Sequence, residues 1–339
     1  MIKVHAIGES GINKNLHDGA YIRLYLPLNI LADNNKIKLT TGLSYEGYED
    51  SDIFIFQRTW SCYKNIEDVK ELINIIKHNN KKLIYEIDDN LLDIHESRIS
   101  NNMKNLIRFI ARYSDAIIVS TQELKKRMQN INKKIIVIPN YLNSKLIYER
   151  KNVFNNNEVI KIGYMGTTTH QKDFEMIKLS LLRILKKYKN KVKFEVIGAI
   201  EDNTTLQSIN NTEVINMNNI NNYFSFWEWM NKNCFWDIGI APLKYNEFTN
   251  CKSDIKYLDY SALGIAGIYS RHPAYENSIK DKETGLLVDN NCDSWQNALE
   301  ELINNYELRN SIRVSAQNDL WENRILQSNI NQWLNVLEE

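Results

Sequence analysis

The segment YEIDDN sets Glu86, Asp88 and Asp89 together at the end of an apolar run. Carboxylates this close repel and raise each other's pKa, a cost that functional clefts tolerate. The same residues also suit a helix N-cap beside a solvent-facing acid. If the strand continued, alternation would turn Asp88 and Asp89 to opposite faces, so the two are not expected to share one task. No residue separates them, so they lack the spacer of a metal-holding Asp-x-Asp pair and no obligatory metal is expected.

Other constellations lie where a strand gives way to a helix. In GYMGTTTHQKD, Gly166, Thr167, Thr168, Thr169 and His170 offer free backbone N–H groups and hydroxyls suited to an anion, although His170 could instead cap or pack. In APLKYNEFTNCKSDIKYLDYSALG, a predicted helix over 251–264 carries Lys252, Ser253 and Lys256 in its first turn. Cations there oppose the helix dipole by a few tenths to about 1 kcal/mol, and a bound diphosphate would reverse that sign. Lys252 and Lys256 then share a face, with Asp259 one turn on, so two cations and an acid match a diphosphate followed by ribose hydroxyls. An exposed helix with an i, i+3 ion pair accounts for the same residues. In GESG, Gly8 and Gly11 suit either a tight turn or a close approach to phosphate, without the full dinucleotide fingerprint. Arg23, on the helix that follows, is either a solvated cation or a clamp on the acceptor side.

These residues need a scaffold. Short Ile/Val-rich runs (IKVHAIG, DIFIFQR, KLIYEID, AIIVST, IIVIPN, then VIKIGYMG, VKFEVIG, TEVINM, DIGIAPL, AGIYS) read as strands buried on both faces of parallel sheets. A short strand opened by Thr284 and Gly285 is expected after a polar turn. Helical periodicity covers roughly 17–33, 65–79, 97–113, 171–188, 251–264 and 293–318. The alternation predicts a doubly wound α/β sheet in each half, with ligands beyond the carboxyl ends of the strands. The asparagine-rich NSKLIYERKNVFNNNEV reads as a linker, which gives domains at 1–154 and 155–318. The tail, 319–339, reads as an amphipathic helix anchored by Trp321 and Trp333 that can lean back on the first domain.

A chain of 339 residues with 43% hydrophobic content can bury two cores. Zero formal net charge gives no global attraction to nucleic acid or to an anionic membrane. Cys62, Cys234, Cys251 and Cys292 lack the spacing of a zinc site or redox pair and read as reduced thiols. With no signal-peptide pattern and no apolar run near the roughly 20 residues of a membrane span, a cytoplasmic location is expected. The helix SRISNNMKNLIRFIARY and the run LKKRMQNINKK leave peripheral contact with an anionic membrane or a lipid-linked acceptor open.

The segments IGYMGTTTHQKD, DIGIAPLKYNEF, KSDIKYLDYSALGIAGIYS and TGLLVDNNCDSWQNALEELI, in that order, resemble the GT-B glycosyltransferases, particularly the retaining family 4 type. The resemblance implies two Rossmann-like domains facing a central cleft, the second holding a nucleotide sugar. Asp259 then stands where the family grips ribose with a glutamate. The family's earlier acid, eight positions before, is replaced by Cys251, which leaves Glu247, with Phe248 beside it, as the nearest substitute. His170 and Lys172 stand where the family has a diphosphate-binding pair, and Lys252 and Lys256 are the lysines expected to take that role. The expected activity is sugar transfer from a nucleoside-diphosphate donor to a hydroxyl of a glycan, protein or lipid-linked acceptor, with retention and no cofactor. Asp88 or Asp89 would orient the reactants. Alternatives are an epimerase or hydrolase on the same scaffold, and a donor-binding subunit that has lost catalysis.

Overall fold

A computed structural model describes residues 1–10, 18–45, 47–60, 65–148, 159–166, 170–198, 211–217, 220 and 222–339. Gly11, Thr167, Thr168, Thr169 and most of the asparagine-rich segment lie outside the described residues. By its contacts the chain forms two units, one of Met1–Tyr141, Asn250–Ser253 and Leu326–Glu339, the other of Leu142–Thr249 and Asp254–Ile325. The division falls after Tyr141, ahead of the asparagine-rich segment.

The first unit is a six-stranded parallel sheet of β1 (Ile2–Ile7), β2 (Ile37–Gly42), β3 (Ile53–Gln57), β4 (Lys82–Ile87), β5 (Ala116–Val119) and β6 (Ile135–Val137), in the order β2-β1-β3-β4-β5-β6. Its helices are α1 (Leu26–Asp33), α2 (Ile66–His78), α3 (Asn101–Tyr113) and α4 (Gln122–Met128). Alternation along the strands explains their unbroken apolar runs. Phe54 and Phe56 enter one core with Leu83, Tyr85 and Ile117, whereas Ile53 and Ile55 enter a second with Ile84 and Ile118. That second core is completed by Trp333, Val336 and Leu337 of the terminal helix Asn331–Glu338. Strand β2 carries no apolar run because it is a half-exposed edge.

The second unit holds β7 (Ile160–Gly166), β8 (Val192–Gly198), β9 (Thr212–Ile215), β10 (Ile238–Ala241), β11 (Ala266–Ser270) and β12 (Leu286–Val288), all parallel, in the order β12-β11-β10-β7-β8-β9. Numbered within the unit this is the 3-2-1-4-5-6 Rossmann order, with its reversal between β7 and β10. The surrounding helices include α5 (Gln171–Lys187), α6 (Tyr223–Asn233), α7 (Ile255–Ala262), α8 (Cys292–Asn304) and α9 (Tyr306–Asn323). Gly163 of β7 must lack a side chain, since a Cβ there would sit 1.7 Å from Trp236 Cδ2.

Besides the 251–264 pattern, three predicted helices differ in form. The 17–33 pattern is divided by a π-helical turn at Tyr21–Tyr25 just before Pro27, whose missing N–H leaves the regular ladder incomplete. The 293–318 pattern is two helices divided at Asn305, whose side chain caps the second by accepting from Leu308 N–H at 3.0 Å. The tail is broken at Arg324 and Ile325; Trp333 is buried, but Trp321 is 48% exposed and is not a buried anchor. Asn65, Asn222 and Asn291 are also N-caps, so part of the asparagine bias serves helix starts.

Candidate functional site

In the first unit the strand order reverses between β1 and β3, so their carboxyl ends mark the place where such sheets bind ligands. Glu9 follows β1, Arg58 and Thr59 follow β3, and Asp88 and Asp89 follow β4. Arg58 joins them. Its Nε lies 2.8 Å from Glu9 Oε2, and its Nη1 lies 2.5 Å from Asp88 Oδ1 and 3.3 Å from Asp89 Oδ2. Thr59 Oγ1 donates to Glu9 Oε1. Lys252 Nζ reaches Asp89 Oδ1 at 3.0 Å. The backbone of Arg58 is left-handed, φ +47°, a conformation that costs an L-residue roughly 1–2 kcal/mol. It is held there by the Tyr85 hydroxyl donating to Arg58 O at 2.7 Å and by Arg58 N–H donating to Glu86 O at 2.9 Å.

Because β4 ends at Ile87, the alternation argument does not apply, and both Asp88 and Asp89 turn to Arg58. Burial pushes the Asp88 carboxyl up, but Arg58, with Arg23 and Lys252, more than offsets it and holds the group below the usual carboxylate range. Asp88 is therefore ionised at neutral pH, a hydrogen-bond acceptor and a weak base. The three carboxylates together hold the Arg58 guanidinium well above its ordinary pKa, against burial.

Beneath this layer is a buried pair. Glu86 is fully buried, Arg23 Nε donates to it at 2.9 Å and Gln57 Nε2 at 2.9 Å. Burial, helped by Asp88, raises Glu86, and Arg23 counters. Arg23 Nη1 also donates to the carbonyls of Ile138 and Pro139 and to Asn140 Oδ1, and its guanidinium lies 5.9 Å from the Trp333 ring centroid. Arg23 is thus neither solvated nor open to an acceptor; it ties the β3, β4 and β6 strand ends together. Gly8 is likewise closed to a phosphate. Its N–H donates to Tyr25 Oη at 2.8 Å, and a Cβ would meet Tyr25 and Ala20 within 2.9 Å. The glycine allows close packing, and its amide is already used.

The lysine assignment changes most. Helix α7 begins at Ile255, so Lys252 and Ser253 stand in the preceding segment and only Lys256 is in the first turn. Lys252 does not share a helix face with Lys256. The segment Asn250–Ser253 belongs to the first unit, where Thr121 Oγ1 donates to Cys251 O at 3.0 Å and Asn140 Nδ2 donates to Ser253 Oγ at 2.7 Å. Cys251 packs into the first unit's core. The helix is interrupted there because Asp254, its N-cap, turns its carboxylate to Arg324 at 2.7 and 2.9 Å.

In the second unit, the carboxyl ends of β7 and β10 mark the reversal. Gly166 ends β7, and His170 Nδ1 lies 2.9 Å from Asp173 Oδ2, while Asp173 Oδ1 accepts from Lys244 N–H at 2.9 Å, so the carboxylate fixes both the ring and the loop after β10. Glu247 and Phe248 fall in a short helical turn, Glu247–Asn250, with Glu247 exposed. One turn into α7, burial pushes Asp259 up to about 7, with Asp254 adding and Lys256 opposing. After β11, His272 is buried against Tyr245, ring centroids 4.6 Å apart, and burial lowers it to about 4 despite Asp173. It is neutral at pH 7.

Sequence reasoning missed Glu9, Arg58 and His272. Arg58 carried a visible signal, a cation ending an otherwise apolar strand beside the strand that ends in acids. Among the described residues, no group of three or more His, Cys, Asp or Glu could hold a metal ion, and no helix is long and apolar enough to cross a membrane.

Two Rossmann-like units, each built on a parallel sheet with polar side chains at its strand reversal, define the GT-B class of glycosyltransferase. The sequence profile of glycosyl transferases group 1 matches residues 147–319, just over half of the chain, and the protein belongs to that family of glycosyltransferases. Among solved structures it is similar to a glycosyltransferase from Rickettsia africae ESF-5, 14% identical with TM-score 0.68, covering 99% of this chain and 98% of that one. It is also similar to Anabaena Alr3699/HepE in complex with UDP and glucose, 11% identical with TM-score 0.65 over 100% of both chains. TarM is 16% identical with TM-score 0.60, covering 85% of this chain, which spans only 55% of TarM. No curated protein sequence matches the chain.

Proposed function

We propose that the protein transfers a sugar from a nucleoside-diphosphate donor to an acceptor hydroxyl with retention of configuration, the second unit binding the donor and the first the acceptor. The observation that supports this most is the 3-2-1-4-5-6 sheet lying within the matched family region, with Lys256 and Asp259 on the helix that follows β10. In this reading Lys256 and the amides opening α7 take the diphosphate and Asp259 takes the ribose hydroxyls. HepE was solved with UDP and glucose, which makes UDP-sugars the first donors to try.

In the proposed reaction the bond from the sugar C1 to the phosphate oxygen breaks and its electron pair leaves with the diphosphate. The acceptor oxygen then bonds to C1 from the same face, and its proton passes to the departing phosphate oxygen. Charge grows on the diphosphate, where fixed cations and amides stabilise it without a required metal. Asp88, held ionised by Arg58, suits an acceptor-orienting role better than that of a proton-abstracting base.

The test has two parts. Thermal shift with UDP, GDP and dTDP and their sugars identifies the donor, and Lys256→Ala and Asp259→Ala should reduce the shift; equal shifts in wild type and both variants refute the donor assignment. Proton NMR of the product then reads the anomeric configuration. Inversion removes the same-face scheme, turnover of donor without an acceptor indicates the hydrolase or epimerase, and EDTA should leave the rate unchanged.

A further inference from the structure

A pocket of 340 Å³ opens at the strand reversal of the first unit, and all the residues lining it belong to that unit. Its floor is Glu9, Arg58 and Thr59, the polar residues that follow β1 and β3. One wall is apolar, built from Leu91, Ile99 and Met103. Arg98 lines the mouth, exposed, and its guanidinium makes no ion pair or hydrogen bond among the described residues. The volume is at the lower end of the roughly 300–1,000 Å³ of ligand pockets, enough for one sugar ring with a substituent and too small for an oligosaccharide.

Each surface selects something different. A carboxylate has about four acceptor positions; Thr59 uses one of those on Glu9, Arg58 faces the carboxylate as an ion pair, and the remaining positions can accept from ring hydroxyls. The aliphatic wall suits the C–H face of a pyranose. Charge decides the substituent. The acids nearest the floor are already paired, Glu9, Asp88 and Asp89 with Arg58 and Asp89 also with Lys252, whereas Arg98 is not. A planar guanidinium at the mouth of a small polar pocket matches a carboxylate or phosphate in two-point geometry.

We propose that this pocket is the acceptor subsite and that it takes a monosaccharide unit bearing an anionic substituent, with Glu9 receiving ring hydroxyls and Arg98 engaging the anion. The inference rests on the reading of the chain as a transferase whose acceptor lies on the first unit. Strain supports it. The left-handed Arg58 backbone keeps the guanidinium aimed across the pocket floor, and strain of this kind persists where the surroundings over-determine it, commonly at ligand sites.

Saturation-transfer NMR and calorimetry on the full chain, with glucuronate, glucose 6-phosphate, glucose and inorganic phosphate as probes, test the proposal. The anionic sugars should bind wild type at least tenfold more tightly than glucose. Arg98→Ala should abolish that preference and R98K should keep part of it, while Met103→Trp, which fills the pocket, should weaken every sugar. Equal affinity for glucose and the anionic sugars overturns the proposal, as does a preference that survives R98A, or inorganic phosphate binding as tightly as the sugar phosphate. A UDP-induced thermal shift measured in parallel separates the two levels. If UDP stabilises the protein while the anionic preference is absent, the subsite fails and the donor reading stands; if no nucleotide binds, the donor reading fails.

Discussion

Replacing Arg58 by alanine strands Glu9 and Asp88 at once, because Arg58 is the cation that faces both, while Asp89 keeps Lys252. The side chains of Arg58, Asp88 and Glu9 are 18%, 19% and 11% exposed, so solvent screens the loss only in part. Breaking a largely buried pair by removing one partner costs about 3–5 kcal/mol. For a unit of this size that is a fall in melting temperature of roughly 6–20 °C. Arg58→Gly should be about 1 kcal/mol less damaging, since glycine adopts the left-handed backbone without penalty. Calorimetric melting gives the loss, and hydrogen exchange in peptides spanning 53–60 and 82–90 should place it in the first unit.

The pH dependence separates this account from a simple packing defect. In wild type the folded Asp88 carboxyl lies below its unfolded value, so its stabilisation is complete above the unfolded pKa near 4 and fades as pH falls through the folded value. Without Arg58, burial, the largest influence on Asp88, would dominate and lift its folded pKa above the unfolded one. The penalty is then larger at pH 7 than at pH 4. The gap between R58A and wild type must therefore narrow over that interval. A gap of the same size at pH 4 and pH 7, or a loss under about 1 kcal/mol at pH 7, refutes the electrostatic reasoning.

Arg23→Met leaves Glu86 as a fully buried uncompensated charge and should cost about 3–5 kcal/mol by calorimetric melting, yet leave the affinity for UDP, measured by calorimetry, unchanged. Asp259, pushed up to about 7, accepts best from ribose hydroxyls when ionised, so UDP affinity should rise between pH 6 and pH 8 beyond the rise seen in Asp259→Asn; identical slopes would remove Asp259 from the site. Its raised folded pKa also penalises the folded state, fully above about 7 and not at all below the unfolded value, so D259N should be the more stable variant at pH 8 and lose that advantage at low pH. Gly163→Ala puts a Cβ 1.7 Å from Trp236 Cδ2 and should lower stability by about 1–3 kcal/mol or more, read as a melting-temperature loss that Trp236→Leu partly restores.

The strands were legible because burial on both faces writes itself as an apolar run; IFIFQ of β3 feeds two cores through alternate side chains. Edge strand β2, IKLTTG, was not, since one half-solvated face leaves no such run. Helix periodicity found α2, α3 and α5 to within a few residues, but it ran through the break before α7. What stops that helix is the Asp254–Arg324 pairing, made across 70 residues of sequence, together with the contacts of Cys251 and Ser253 with Thr121 and Asn140. Local pattern carries no trace of a partner so distant, so Lys252 and Lys256 looked like one helical face when only the second is helical.

The same limit explains why the acids of YEIDDN could be found and their meaning could not. Three nearby carboxylates announce a need for positive charge, and sequence offers many cations that could meet it. Strand order selects one. Because β3 lies between β1 and β4, the residue after its last paired position stands at equal reach of Glu9 on one side and Asp88 on the other. An extended residue there would stand its side chain off one face of the sheet; the left-handed turn at Arg58 redirects it across the strand ends, which is where the charge is required. The placement therefore depends on register and on one unusual dihedral angle. Both are properties of the assembled sheet, and both could have been anticipated only by asking which cation ends the strand beside the acids.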